Sequence, residues 1–316
     1  MRILFAGSSA IAVPSLSAIC NIDGIELAGV LTNPDSPRGR HGTPQPTDVG
    51  EAAGRLSQSV PVLKPEKLDA CAREQVNSLK CDILVSFAYG HIFGPKFLAL
   101  FPRGGINIHP SLLPKYRGPS PVQAAILNRE SITGVTVQSL ALKMDCGDIL
   151  AVEQLQLTGR ETAGSLSELL SAKAAKMLPE TLKKIAAGTV KAQAQNDSEA
   201  SYCTLISKDE GLIDWSQSAA EIEAKIRAFD PWPMCRTTHN GLELSILESA
   251  VYNDKNGNIL ENKPGRVLGT DKKSGILIQT GNGILAVTRL QYQTKKALFW
   301  RDFLNGARDF SGSQLG

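Results

Sequence analysis

Asn107, His109 and Asp145 are the residues of this chain whose types and spacing could carry out a reaction together. The first two lie in Asn107-Ile108-His109-Pro110, and the third opens Asp145-Cys146-Gly147-Asp148. In a strand, residues two apart project to the same side, so Asn107 and His109 share a face. Residues 104–108 read as a short buried strand ending at this pair, and residues 134–142 as the next strand, with Asp145 just past it. In open parallel sheets, ligand chemistry gathers at the carboxyl ends of strands. A carboxamide and an imidazole can hold a developing oxyanion while a carboxylate moves protons, which points to acyl or one-carbon transfer.

The elements that must position these groups alternate. Runs rich in Ile, Val and Leu at residues 2–6, 25–31, 60–63, 82–87, 105–108 and 135–142 are separated by helical segments at 13–19, 51–56, 68–79 and 122–127. This order predicts an α/β domain with a Rossmann-like, mostly parallel sheet. Ser120-Pro121 suits the start of the last of these helices. Ser165-Leu166-Ser167-Glu168 reads as a capping box opening a further helix, which Pro179 is expected to kink or split. The polar stretch from Gly188 to Cys203 reads as a linker. The expected division is therefore a catalytic domain over 1–188, a linker over 189–206 and a second domain over 207–316. In the second, a helix at 219–229 precedes short strands at 242–247, 265–268, 275–279 and 284–290. Turn signals at Asn256-Gly257 and Gly281-Asn282-Gly283 suit hairpins, and the regular short strands predict a small β-barrel.

A length of 316 residues favours two domains, and 42% hydrophobic residues suffice for ordinary cores. The net charge of +3 sets up no global basic field, so any nucleic-acid contact must be local. Six scattered cysteines and four histidines show no metal-site spacing and read as free thiols in a reducing cytosol. Residues 2–6 resemble a secretory signal only superficially; Ser8, Ser9 and Pro14 break the apolar run, and a buried first strand is the better reading. With no membrane-length apolar stretch, a cytoplasmic location is expected. The first strand-to-helix turn, Gly7-Ser8-Ser9-Ala10-Ile11-Ala12, holds one of the three glycines of a dinucleotide-binding turn, which argues against NAD.

From end to end the chain resembles the methionyl-tRNA formyltransferases, a family of the folate-dependent formyltransferase superfamily. The resemblance is carried by Asn107-Ile108-His109, Ser111-Leu112-Leu113-Pro114 and Asp145-Cys146-Gly147. Phe5-Ala6-Gly7-Ser8, Ala88-Tyr89-Gly90, Ile206-Ser207-Lys208, Ile213-Asp214-Trp215 and Asp230-Pro231-Trp232-Pro233 extend it along the chain. It implies that 10-formyltetrahydrofolate donates a formyl group to methionyl initiator tRNA for translation initiation, with no metal. Asn107, His109 and Asp145 become the catalytic trio, with Asn107 and a protonated His109 at the oxyanion. Asp145 then orients His109 and helps carry the amine proton. Ser111, Leu112, Leu113 and Pro114 become the folate-binding stretch, and Phe87, Ala88, Tyr89 and Gly90 line its pterin end. Residues 33–47 correspond to a basic insertion that reaches tRNA, here through Arg38 and Arg40. The second domain is expected to be an OB-like barrel that binds tRNA, with Lys272, Lys273, Lys295, Lys296 and Arg301 as candidate phosphate contacts. A monomer is expected. The motifs specify the superfamily more sharply than the acceptor, so a formyltransferase acting on a sugar-nucleotide amine is the alternative.

Overall fold

The computed structural model describes residues 1–38, 42–57, 59–253 and 263–316. The chain falls into two compact units, one of residues 1–121, 132–156 and 166–204, the other of residues 122–131, 157–165 and 205–316.

The first unit is built on a seven-stranded sheet. Its strands are β1 (Arg2–Gly7), β2 (Glu26–Leu31), β5 (Val62–Leu63), β6 (Ile83–Phe87), β7 (Gly105–His109), β8 (Ile132–Ser139) and β9 (Ile149–Gln156); β3 (Ser36–Arg38) and β4 (Thr43–Gln45) form a separate hairpin. The order is β5-β2-β1-β6-β7-β8-β9. Ile3, Leu4, Phe5 and Ala6 are all wholly buried, as a central parallel strand covered on both faces requires. β1 pairs with β2 on one side and β6 on the other, so the chain reverses its direction of sheet growth there. Such a switch point opens a crevice at the strands' carboxyl ends. Gly7 lies in that crevice opposite Phe87, and a Cβ on it would come within 2.8 Å of the Phe87 carbonyl.

β8 departs from the expectation drawn from the sequence. It runs antiparallel to β7, with Asn107 opposite Gln138 and His109 opposite Thr136. Its carboxyl end therefore faces the start of β7, and Asp145 does not follow a parallel neighbour's end. Residues 140–148 instead fold back across the strand. Two observations explain how. Asp145 adopts φ +53, and Gly147 passes so close to β8 that a Cβ would fall 1.7 Å from the Ser139 carbonyl.

Helix α1 (Ala163–Ala186) runs through Pro179 unbroken. Leu166, Leu170, Ala174, Leu178 and Leu182 recur every four residues and are wholly buried, and this stripe outweighs the one lost ladder bond. Its start also differs from the expected capping box. Thr162 and Ser165 cap each other, the Ser165 amide donating to Thr162 Oγ1 at 3.3 Å and the Thr162 amide to Ser165 Oγ at 3.0 Å.

The second unit carries a six-stranded antiparallel sheet of β10 (Cys235–His239), β11 (Leu242–Tyr252), β12 (Val267–Asp271), β13 (Gly275–Gln279), β14 (Ile284–Tyr292) and β15 (Leu298–Phe299). α2 (Ala219–Ala228) packs against β11 and β14 and opens with a capping box between Ser218 and Glu221. Gly281-Asn282-Gly283 joins β13 to β14, whereas the Asn256-Gly257 turn lies outside the described residues.

Under the first sheet, Tyr89, Phe93, Phe97 and Phe101 stack in a row with ring centroids 5.3–5.8 Å apart. Phe97 is 2% exposed and touches two of the others. Phe97→Ala should destabilise the protein by about 3–5 kcal/mol, the usual cost of emptying an aromatic core position. A fall in the urea midpoint of the sheet's unfolding, followed by circular dichroism, measures it.

Candidate active site

Asn107 and His109 leave the same face of β7, as the two-residue spacing requires. On that face the neighbouring side chain across the ladder is Gln138 for Asn107 and Thr136 for His109. The loop after β8 then brings Asp145 over both. Asp145 Oδ1 accepts from Gln138 Nε2 at 2.9 Å and from Asn107 Nδ2 at 3.4 Å, while Oδ2 accepts from the Gly118 amide at 2.8 Å. His109 Nδ1 lies 3.6 Å from Asp145 Oδ2. The structure thus gathers the three residues around one carboxylate.

The histidine's tautomer follows from its partners. His109 Nε2 is 2.8 Å from the Tyr116 carbonyl, which can only accept, so Nε2 carries a proton. Nδ1 is the nitrogen turned to Asp145. Burial pushes the His109 pKa below its ordinary value of 6.5, against the pull of the Asp145 charge and the Tyr116 carbonyl. The resting ring is thereby shifted towards its neutral form. The desolvation cost of a cation in a site this closed is the reason.

Ser111-Leu112-Leu113-Pro114 forms a stiff turn beside the trio. Thr136 Oγ1 donates to the Ser111 carbonyl at 2.7 Å and accepts from the Leu113 amide at 3.1 Å, and Ser111 Oγ donates to the Lys115 carbonyl at 2.6 Å. Ser111 and Leu113 are buried, while Leu112 and Pro114 are partly open. At the end of β6, Phe87 is wholly buried and Tyr89 belongs to the stacked aromatic row, so both rings face the protein interior. Ala88 and Gly90 are the exposed members of that stretch, both at positive φ. β6 pairs with β7 through Ser86 and Asn107, which sets this stretch beside the trio's strand. Arg38 ends β3, and Arg40 lies outside the described residues.

Sequence reasoning missed Gln138, Gln195 and Arg117. Gln138 carries a signal only once β8 is known to run antiparallel, because the register then sets it opposite Asn107. Gln195 and Arg117 carry none, because their partners lie far away in the chain. Gln195 Nε2 donates to the carbonyls of Asp145 at 2.9 Å and Gly147 at 2.7 Å. It sits in the segment expected to be a linker, and residues up to 204 belong to the first unit. Among the described residues, no three His, Cys, Asp or Glu side chains gather as a metal ligand set, and no helix is long and apolar enough to cross a membrane.

A carboxamide, an imidazole and a shared carboxylate thus stand together on a Rossmann-like sheet. Residues 1–182 match the formyl transferase family, and residues 205–308 match the C-terminal domain of formyl transferases. The chain belongs to the formyl transferase family. It is 50% identical over 317 residues to a methionyl-tRNA formyltransferase from Treponema denticola, covering 98% of each chain. Among solved structures it resembles an N-formyltransferase from Helicobacter canadensis in complex with folinic acid and dTDP-3-aminofucose, with TM-score 0.65, 21% identity, and 91% and 98% of the two chains covered. It also resembles HypX from Aquifex aeolicus in complex with tetrahydrofolic acid, with TM-score 0.62 and 19% identity. That match takes in 96% of this chain and spans about half, 47%, of HypX.

Two outcomes follow from the geometry. The imidazole of His109, followed by NMR, should titrate below 6.5, and Asp145→Asn should move the midpoint further down, because the carboxylate is the charge that favours the imidazolium. A wild-type midpoint above 6.5 would contradict this. Gly147→Ala should displace the 140–148 turn, since its methyl group would meet a backbone carbonyl. The expected sign is loss of the Gly118–Asp145 bond, seen as a shifted Gly118 amide resonance.

Proposed function

We propose that this protein transfers the formyl group of 10-formyltetrahydrofolate to the α-amino group of methionine carried on initiator tRNA. The convergence of Asn107, His109 and Asp145 on one point is the observation that carries it. The likeness to a methionyl-tRNA formyltransferase over nearly the whole of both chains supports the choice of acceptor over a sugar-nucleotide amine.

The neutral amine attacks the formyl carbon. A carbon–nitrogen bond forms, and the carbonyl electron pair moves to oxygen. Asn107 turns an N–H to that oxygen; its present bond to Asp145 is long and easily exchanged. The attacking amine releases a proton. Asp145 relays it to Nδ1 of His109, the ring nitrogen not committed to Tyr116. The imidazolium so formed lies beside the oxyanion, so the protonated ring arises during the reaction. The tetrahedral carbon then expels the folate nitrogen, which takes up the proton, and the formyl carbonyl is restored.

The exposed backbone at Ala88 and Gly90 and the partly open Leu112 and Pro114 are proposed to meet the folate. The buried Phe87, Tyr89, Ser111 and Leu113 would shape that wall from behind. Arg38 and Arg40 are proposed tRNA contacts. In the second unit, Arg301 lies over the Trp300 ring and donates to the Lys272 carbonyl at 2.9 Å, so Arg301 and the Lys272-Lys273 pair converge as a further candidate. The domain boundaries at 188 and 207 and a cytoplasmic location belong to the same proposal.

Incubating the protein with 10-formyltetrahydrofolate and either charged initiator tRNA or an amino-sugar nucleotide tests this reading. Formylation of the tRNA is expected, and formylation of the sugar alone would replace it. Asn107→Ala, His109→Ala and Asp145→Ala should each fold and lose about a hundredfold or more in single-turnover rate. A near-normal rate in any of them removes that residue from the mechanism.

A further inference from the structure

Among the described residues, Arg117 is the bulkiest wholly buried side chain, at 1% exposure. A buried guanidinium is costly unless its donors are matched. Here they are matched closely. Nε and Nη2 donate to Gln195 Oε1 at 3.0 and 2.8 Å, Nη2 also to Asp197 Oδ1 at 2.7 Å, and Nη1 to the Tyr202 hydroxyl at 3.1 Å.

A guanidinium offers donors only, so it orients the Gln195 amide. The carbonyl oxygen of Gln195 must face Arg117, and its NH2 must face away. That NH2 meets the carbonyls of Asp145 and Gly147 at 2.9 and 2.7 Å, and Gln138 Oε1 at 3.3 Å. Gln138 Oε1 also accepts from the Gly147 amide at 3.2 Å, which leaves the Gln138 NH2 to donate to Asp145 Oδ1 at 2.9 Å. Flipping either amide would set donor against donor or acceptor against acceptor. A directed series of hydrogen bonds therefore runs from Arg117 through two amides to the carboxylate. Gln195 is the one residue of 191–199 that is not exposed, so the segment has little core to form. The Gln195 NH2 therefore ties down the backbone of the turn that carries Asp145, at residues 145 and 147.

We propose that Gln195, oriented by Arg117, is a positioning residue that holds Asp145 Oδ2 against His109 Nδ1 and so governs the proton transfer. The proposal rests on the formyl-transfer reading for its kinetics and on geometry alone for its placement of Asp145.

Gln195→Met keeps the side chain's length and removes its polar atoms. It is expected to keep folate binding within about threefold while single-turnover formylation falls about tenfold or more, because a carboxylate displaced by a fraction of an ångström loses its reach. The NMR midpoint of His109 should move down, towards that of Asp145→Asn. Combined with Asp145→Asn, it should cost little beyond Asp145→Asn alone, since both act through one carboxylate. If Gln195→Met does not fold, Gln195→Glu keeps the Arg117 contact and replaces the inward NH2 with an oxygen, and the same rate loss and non-additivity are expected. A normal rate, losses that multiply, or an unmoved His109 midpoint in the folded Gln195→Met protein would overturn the proposal. The His109 titration needs no substrate. If wild-type protein formylated no tRNA, the proposed function would fall while the titration still decided the positioning role.

Discussion

The placement of the Asp145 carboxylate is the constraint around which the first unit is arranged. A side chain only 11% exposed cannot hold a charge without donors, and no neighbour in sequence supplies them. They come from three distant places: the Gly118 amide, the Gln138 amide group and Asn107. The residue also occupies the left-handed region at φ +53, which costs a non-glycine residue about 1–2 kcal/mol. The converging hydrogen bonds offset that cost.

The reversal of β8 makes this convergence possible. In an antiparallel pair, residues directly opposite present side chains on one face at close range. Gln138 thereby stands beside Asn107, and Thr136 beside His109. Each opposing residue has its own task. Gln138 binds the carboxylate, while Thr136 bonds two backbone groups of the turn at 111–113 and so fixes the chain leaving His109. Two glycines complete the arrangement because nothing larger fits. A Cβ at Gly118 would lie 2.2 Å from the Cys203 carbonyl, and one at Gly147 1.7 Å from that of Ser139.

The second unit obeys a different rule. Its antiparallel sheet is buried throughout β13 and over the first half of β14, and four of its aromatic side chains gather at one place. His239, Tyr292, Phe303 and Phe310 pack together, with His239 Nδ1 bonded to the Tyr292 hydroxyl at 2.6 Å. Outside this cluster, Arg289 lies over the exposed Phe299 ring and Arg301 over the half-buried Trp300 ring. A chain with a net charge of only +3 can offer positive charge to a polyanion in this local way.

The alternation of apolar runs with helical segments by itself marked β1, β2, β5, β6, β7 and β8, most of the helices between them and the sheet's class, because periodicity is a local property; it did not mark β9, β10 or the β3–β4 hairpin. The shared face of Asn107 and His109 was equally legible from their spacing of two. The motifs were enough for the resemblance. The direction of β8 was not legible, since a strand's pattern is the same whichever way it runs. Nor was the inward turn of Phe87 and Tyr89, because an aromatic ring beside a site reads alike whether it faces ligand or core. Least legible was the part played by Gln195 and Arg117. In sequence they are a polar residue in a polar stretch and a cation in a loop, a pattern that solvated residues share. Only the tertiary structure decided that one is buried, that it orients the other, and that both support Asp145, because a hydrogen bond between groups 78 or 50 residues apart exists only once the chain has closed.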